Sequence, residues 1–313
     1  MYDFINNYLL FLIELFSIFT LISILLIILF TLKIKKNNNI KIEHINKKYM
    51  YIKKKILNKI MKKKLYKKII KDEEKKIKIT EKKNNIYVMK FNGDIYAKDI
   101  NKFKDIISVL ISITKKNDQV LMILNSNGGF VNNYGLAALQ LNRIKSNNIK
   151  LIISIDLIAA SGGYLMACVG NYIIASKFAI IGSIGVIGQV PNFNKLLDKN
   201  NIEIEEHTSG EFKTTLTLFG KNTEKGRKRF CEYLEKTHII FKKFILSHRK
   251  KINIEKISSG EYWYGDDAID LNLIDKIQTS DEYITDHLDT HNIYEITIEE
   301  NQKNKLSNIF KNI

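Results

Sequence analysis

Proline is nearly absent from this 313-residue chain. With Pro191 as the single example, turns must be built from glycine, asparagine and hydrogen bonds rather than from a fixed φ. Collagen-like and proline-rich architectures are excluded on the same ground. Two cysteines, Cys168 and Cys231, are too few for a disulfide framework or a cysteine metal site, and both read as structural thiols. The six histidines do not group with cysteines or acids at ligand spacing, so no metal and no cofactor is expected. No internal repeat is found, which excludes a solenoid.

What the chain does have is placed unevenly. Leu9 to Leu32 are 24 positions with one charge, Glu14, long enough at about 1.5 Å per residue to cross a hydrocarbon layer of about 30 Å. This predicts a transmembrane helix rather than a cleaved signal peptide, because no basic region precedes the run and no small-residue cleavage site follows it. Glu14 lies near the outer end of the span, within reach of the interface; a functional intramembrane carboxylate is the alternative.

Lysine, asparagine and isoleucine are used heavily throughout, so lysine counts alone carry little. Their distribution carries more. Residues 33–83 hold 21 lysines and five acids, a net of +16 in a chain whose total is +17. Within that stretch Ile45, Tyr49, Ile52, Ile56 and Ile60 recur at helical steps, with Leu65 and Ile69 following less regularly, and predict an amphipathic helix with a lysine-rich face. Such a helix beside a membrane either lies on anionic headgroups or packs against its copies in an oligomer. Nucleic acid is disfavoured as a partner, because no recognition motif and little aromatic interleaving accompany the lysines.

From about Asn85 the pattern becomes that of a folded domain. Strands are expected over Ile86–Phe91, Val120–Leu124 and Lys150–Ile155, with helices over Asp99–Thr114, Tyr134–Ile144 and Thr223–Arg249. Short strands follow over Asn171–Val190, then a turn into a helix over Gly260–Ala268. The alternation predicts an α/β fold with a mostly parallel sheet covered by helices. Sites in such sheets lie at the carboxyl ends of the strands. Ile293–Ile298 is strand-like, within a C-terminal stretch without readable chemistry.

The stretch Ile155-Asp-Leu-Ile-Ala-Ala-Ser-Gly-Gly-Tyr164 organises the rest. An apolar run stops at Ser161, two glycines follow, and a helix opens over Tyr164–Val169. Ser161 is then either a helix N-cap or a nucleophile presented on a tight turn. A second buried-type strand ends in Asn127-Gly-Gly129, whose loop can bring free backbone N–H groups to the same place. Downstream, Lys213 stands near Phe212 and Leu216, which are able to wall its amine. His207, nearby in sequence, reads as an exposed loop residue.

Six ordered stretches resemble the S49 peptidase family of signal-peptide-peptidase-like serine proteases, most closely its short membrane-anchored branch. They are Ser126-Asn-Gly-Gly129, Ala159-Ala-Ser-Gly-Gly-Tyr-Leu-Met-Ala167, Ile181-Gly-Ser-Ile-Gly-Val186, Pro191-Asn-Phe-Asn194, Gly210-Glu-Phe-Lys213 and Gly260-Glu-Tyr-Trp-Tyr-Gly265. One departure is Asn127, where the family usually has proline. The resemblance runs from about 85 to about 285 and implies a crotonase/ClpP-like fold. It divides the chain into an anchor (1–33), a basic juxtamembrane segment (34–84), a peptidase domain (85–285) and a C-terminal extension (286–313).

The resemblance also implies the chemistry. Ser161 attacks a peptide carbonyl, Lys213 of the Gly-x-x-Lys stretch acts as general base, and Ser183 helps orient its amine. Gly162 N–H and that of Gly128 or Gly129 receive the oxyanion, each such donor being worth about 3 kcal/mol. A free lysine titrates near about 10.4, so the base must be desolvated or sit near another cation to be neutral at pH 7. Longer relatives carry two tandem copies that share serine and lysine, which implies a homo-oligomer here. Peptide or protein substrates, and a bilayer at residues 9–32, are the expected partners. A catalytically silent anchored scaffold and, more weakly, an acyl-CoA enzyme on the same fold are the alternatives. Lysines after the span, with only Asp3 charged before it, favour a cytoplasmic domain at the inner membrane, while the family also allows a periplasmic one.

Overall fold

The computed structural model describes residues 2–32, 39–80 and 84–299. Lys33, Lys35, Lys36 and positions 300–313 of the expected extension lie outside them. Two compact units are present, Met1–Lys41 with Ile298–Ile313, and Ile42–Thr297.

The first unit carries helix α1 (Tyr2–Leu32), in which Asn6–Ile27 is long and apolar enough to cross a membrane. Ser17, Thr20 and Ser23 donate their hydroxyls to carbonyls of the preceding turn, at 2.7, 2.8 and 2.8 Å. The three polar side chains therefore leave no unmet donor on the apolar surface.

The second unit is entered along β1 (Asn39–His44), followed by α2 (Ile45–Ile60) and α3 (Lys63–Thr80). The single amphipathic helix expected here is two helices, broken at Met61, whose backbone is extended. Next come β2 (Asn85–Gly93), α4 (Ile100–Ile113), β3 (Gln119–Ser126), α5 (Val131–Ser146), β4 (Lys150–Ile155), β5 (Ile158–Ala160) and α6 (Gly162–Ala167). The chain continues through β6 (Tyr172–Ala175), β7 (Ile180–Gly182), α7 (Asn194–Lys199) and α8 (Glu224–His248). It ends with α9 (Ile254–Ile257), β8 (Tyr262–Trp263), α10 (Gly265–Asp270), β9 (Lys276–Ile277), α11 (Ser280–His287) and β10 (Asn292–Glu299).

The strands form one sheet in the order β1-β10-β2-β3-β4-β6-β9, with β5 joining β3 to β7 and β8 on β7. Pairings from β10 to β9 are parallel, and β7–β8 is antiparallel. Val120, Leu121, Met122 and Leu124 on β3 are all fully buried, as an unbroken apolar strand covered on both faces requires.

The apolar run through residues 155–160 is not one strand but two. β4 accompanies β3 only from Gln119 to Ile123, and β5 rejoins it at the Ser126–Ala159 pair. Asp156 makes the break: its carboxylate accepts from Ser154 Oγ at 3.0 Å and from Ser280 N and Oγ at 2.8 and 2.5 Å. The offset lets β5 run parallel to both β3 and β7 and end at Ser161 between them.

The compact unit runs from Ile42 to Thr297 and so takes in residues on both sides of the expected 85–285 peptidase domain. β10, expected in an extension, pairs with β2 in parallel from Asn292–Asn85 to Ile296–Met89. Asn46 of α2 locks it there, donating to Leu288 O and His291 O and accepting from Ile293 N. At the opposite end of the unit, Arg249 closes α8 with a two-pronged pair to Asp275 at 2.9 Å on each prong and a bond to Asn272 O at 2.7 Å. This fixes α8 against the loop before β9, which matters for the cavity described next.

Candidate active site

β5 ends at Ala160 and α6 starts at Gly162, so one residue makes the turn. Ser161 adopts φ 52°, ψ −119°, and its N–H donates to Gly182 O at 2.7 Å. A helix N-cap serine has extended dihedrals and accepts a bond from the first turn. Ser161 has a positive φ and makes no such bond, so the cap reading fails. The geometry is that of a nucleophile elbow, a strained strand-to-helix turn that exposes the hydroxyl. A non-glycine residue held there costs about 1–3 kcal/mol. Ser161→Gly is therefore expected to melt about 2–3 °C above Ser161→Ala in a thermal scan; equal or lower melting would show an unstrained turn.

α6 is seated closely because its first residues lack side chains. A Cβ on Gly162 would stand 2.5 Å from the Tyr134 ring, and one on Gly163 2.5 Å from Ser126 O. The neighbouring loop is held by a relay of hydrogen bonds. Gly128, at φ +86°, donates its N–H to Ser126 Oγ at 3.0 Å. Ser126 Oγ lies 2.6 Å from Tyr134 Oη, which donates to Asp94 O at 2.7 Å. Since the tyrosine proton is used on the carbonyl, Ser126 is the donor to Tyr134. Burial pushes the Tyr134 hydroxyl up, which keeps it protonated for this duty. Phe130 N–H adds a bond to Ile95 O at 3.0 Å. The loop with Asn127 in place of proline is thus fixed by side chains that sequence reasoning did not assign to the site. The available signal was a tyrosine on a helix face otherwise destined for the core, whose hydroxyl needed a partner.

The Gly128 N–H is accordingly occupied. Among the described residues no hydrogen bond is formed by Gly129 N–H or Gly162 N–H. The Gly162 nitrogen lies 2.6 Å from where a Cβ on Gly128 would stand, so the two glycine turns converge beside Ser161. Ser183 is brought close as well. The Ala160–Gly182 pair of β5 and β7 sets it next in register opposite Ser161. It too has a positive φ, 49°, and its N–H donates to Glu261 O at 2.6 Å.

Lys213 is placed differently. It lies exposed in the irregular stretch between α7 and α8, its backbone N–H on Gly210 O at 3.1 Å. Phe212, expected to wall its amine, instead faces the Lys225 ammonium and the Arg229 guanidinium, 5.6 and 4.9 Å from the ring centroid. Leu216 is half-buried. Among the described residues no hydrogen bond joins Lys213 to Ser161 or Ser183. His207 is exposed beside Glu205, at 3.6 Å.

A cavity of about 220 Å³ opens at Ser161. Val131, Gly135 and Leu139 of α5 and Leu165 of α6 form one side; Val186 and, from α8, Thr237, Ile240, Phe241 and Phe244 form the other. Lys213 is not among its lining residues. The α8 contribution, with Phe241 and Phe244, carries no local signal in the sequence. The arrangement offers a hydroxyl on a strained turn, two unengaged N–H groups and an apolar cavity.

Comparison with known proteins bears on what such a site belongs to. The probable protease SohB of Buchnera aphidicola subsp. Schlechtendalia chinensis is 53% identical over 188 residues, 60% of this chain and 62% of that one. That of Buchnera aphidicola subsp. Schizaphis graminum is 56% identical over 189 residues, 60% and 55% of the two chains. The Haemophilus influenzae counterpart is 46% identical over 192 residues, 61% and 54%. The chain therefore spans between about half and six tenths of the length of these curated relatives. A solved membrane-bound stomatin-specific protease aligns over 74% of this chain and 100% of that one, at 16% identity and a TM-score of 0.46. The model of the peptidase family S49 N-terminal segment matches residues 3–141 and that of peptidase family S49 residues 143–293. Matched in succession by both, the chain belongs to peptidase family S49.

Proposed function

We propose that this chain is a membrane-anchored serine endopeptidase that hydrolyses peptide bonds in peptides or unfolded segments near the bilayer. The observation that carries the reading is Ser161, held on a strained turn with a free hydroxyl at the mouth of an apolar cavity. In the proposed cycle Ser161 Oγ attacks the carbonyl while Lys213 takes its proton. The tetrahedral oxyanion is received by Gly129 and Gly162 N–H, the amine leaves with the proton from Lys213, and water releases the acyl group. Ser183, next in register to Ser161, orients the lysine amine.

Because Lys213 is exposed and away from the cavity, the base reaches Ser161 from a neighbouring copy, whose surface also desolvates it. The same exposure is what favours the second reading, a catalytically silent anchored scaffold. Ser161→Ala and Lys213→Ala are each expected to lower hydrolysis by at least about 10³-fold with the fold retained. A serine-acylating probe is expected to add its mass to the peptide containing Ser161. Unimpaired cleavage by either variant would sink the dyad; an inert Ser161 with no cleavage by the wild type would leave the scaffold.

The anchor, within residues 1–33, is α1 (Tyr2–Leu32), followed by the basic segment and the peptidase unit. By the positive-inside rule the lysines after the span favour the cytoplasmic face of the inner membrane for that unit over the periplasmic one. Protease added to spheroplasts should then leave it intact, and digestion from outside would reverse the assignment.

A further inference from the structure

Beyond catalysis, the helical pair α2–α3 has a surface that the domain does not use. Ile45, Asn46 and Met50 at the start of α2 are buried against the unit, Ile45 within a core cluster with Val88, Leu121 and Ile293. Further along the same helix the apolar residues come out into solvent. Ile52, Ile56 and Ile60 are 46%, 55% and 70% exposed, and Leu65 on α3 is 50% exposed. At four-residue steps the three isoleucines form one stripe.

The stripe is embedded in cations. Residues 45–72 contain 12 lysines and a single acid, Asp72. Lys48 is paired with Glu43 and Lys55 lies over the Tyr51 ring. Lys59, Lys63 and Lys64 flank the exposed end, and the rest of the chain outside 33–83 carries almost no net charge. Two occupants suit an apolar stripe of this kind: a second copy, or a lipid surface. Charge decides between them. Two copies meeting on this face would set two lysine-rich faces against each other, whereas anionic headgroups supply the opposite charge while the acyl boundary accepts the isoleucines. Continuity with the chain agrees, since Ile27, the end of the membrane-crossing segment, precedes Ile45 by only 18 positions.

We propose that the α2–α3 pair is an interfacial foot that lays Ile52, Ile56 and Ile60 into the surface of an anionic bilayer. The proposal rests on the anchor reading above, since the anchor is what keeps the foot beside the membrane. The foot would hold the peptidase unit at a fixed height, so that substrates are segments at the membrane surface rather than free peptides.

The test uses the full chain in lipid nanodiscs. Cys231 is exposed and Cys168 buried, so in a Cys231→Ser background an Ile56→Cys substitution gives one reactive thiol for an environment-sensitive NBD label. In discs of phosphatidylcholine with phosphatidylglycerol, the label is expected to shift to the blue, brighten about two- to threefold and be quenched by nitroxide on shallow lipid positions. In phosphatidylcholine alone it should report water. A water-like label in both lipids overturns the proposal, and equal insertion in both overturns the need for anionic lipid. A label shielded in both lipids and insensitive to lipid-borne nitroxide would mean contact between copies, which also overturns it. Chain that never enters the discs would refute the anchor and the foot together, and is read separately as the absence of disc-bound protein.

Discussion

Mixing Ser161→Ala and Lys213→Ala proteins, each inactive alone, is expected to restore about a quarter of the wild-type turnover per site under conditions that allow subunits to exchange, the fraction following from a head-to-tail ring in which each site takes serine from one copy and lysine from the next. At equal mixing, half the copies supply an intact serine and half an intact lysine, and the two choices are independent. The structure of one copy motivates the experiment. Ser161 sits at the mouth of a cavity that Lys213 does not line. The segment bearing the lysine also exposes Ile187, Phe193, Leu196, Ile202 and Phe219, at between 44% and 87% of their surface. Apart from the Phe193–Phe219 ring pair, with centroids 6.3 Å apart, these surfaces face solvent, and large exposed apolar patches mark interaction sites. Outside residues 33–83 the net charge is near zero, so long-range repulsion does not oppose association. Persistent inactivity in proven mixed oligomers would mean that each copy builds its own site, with the 186–223 segment folding back on Ser161. Recovery near one quarter would be incompatible with that arrangement.

The parts of this site that sequence made legible are those written in local patterns. Ser161 was singled out because an apolar run stopped there and two glycines followed, and both glycines prove to be places where a Cβ would collide with Tyr134 or Ser126. The three strands named before Ser161 and the long helix α8 followed from period and length, and their observed ends lie within two residues of the expected ones. What was not legible depends on contacts distant in sequence. β5 is distinct from β4 because Asp156 meets Ser280, 124 positions later. β10 joins the sheet because its pattern fits an edge that β2 leaves open and Asn46 reaches across to it. The N-cap and nucleophile readings of Ser161 predict the same residue types, and only the dihedral separates them. Lys213 shows the limit most plainly. Its neighbours Phe212 and Leu216 promised an apolar wall, but Phe212 has turned to Lys225 and Arg229, which no local pattern announces.

Gly135→Leu is expected to change which peptides are cleaved without weakening the fold. Gly135 lies in the middle of α5, where glycine costs about 0.5–1 kcal/mol relative to alanine. No neighbouring atom forbids a side chain, since a Cβ there meets nothing within 4 Å. The space it would enter is the cavity at Ser161, about 220 Å³ between α5 and α8. We therefore read the glycine as keeping room for the substrate side chain next to the attacked carbonyl. Gly135→Ala should raise the melting temperature and leave room for most side chains. Gly135→Leu should occupy the cavity: kcat/KM for peptides with leucine or phenylalanine at that position should fall by about 10²-fold, while alanine-bearing peptides lose less than about threefold. The split between substrates is the decisive reading, because a distorted turn at Ser161 would slow all of them alike. Equal losses for large and small side chains would show that the cavity is not the specificity pocket. Unchanged cleavage of the phenylalanine peptide would show that substrate enters Ser161 from another side, with α8 serving only to pack against the sheet.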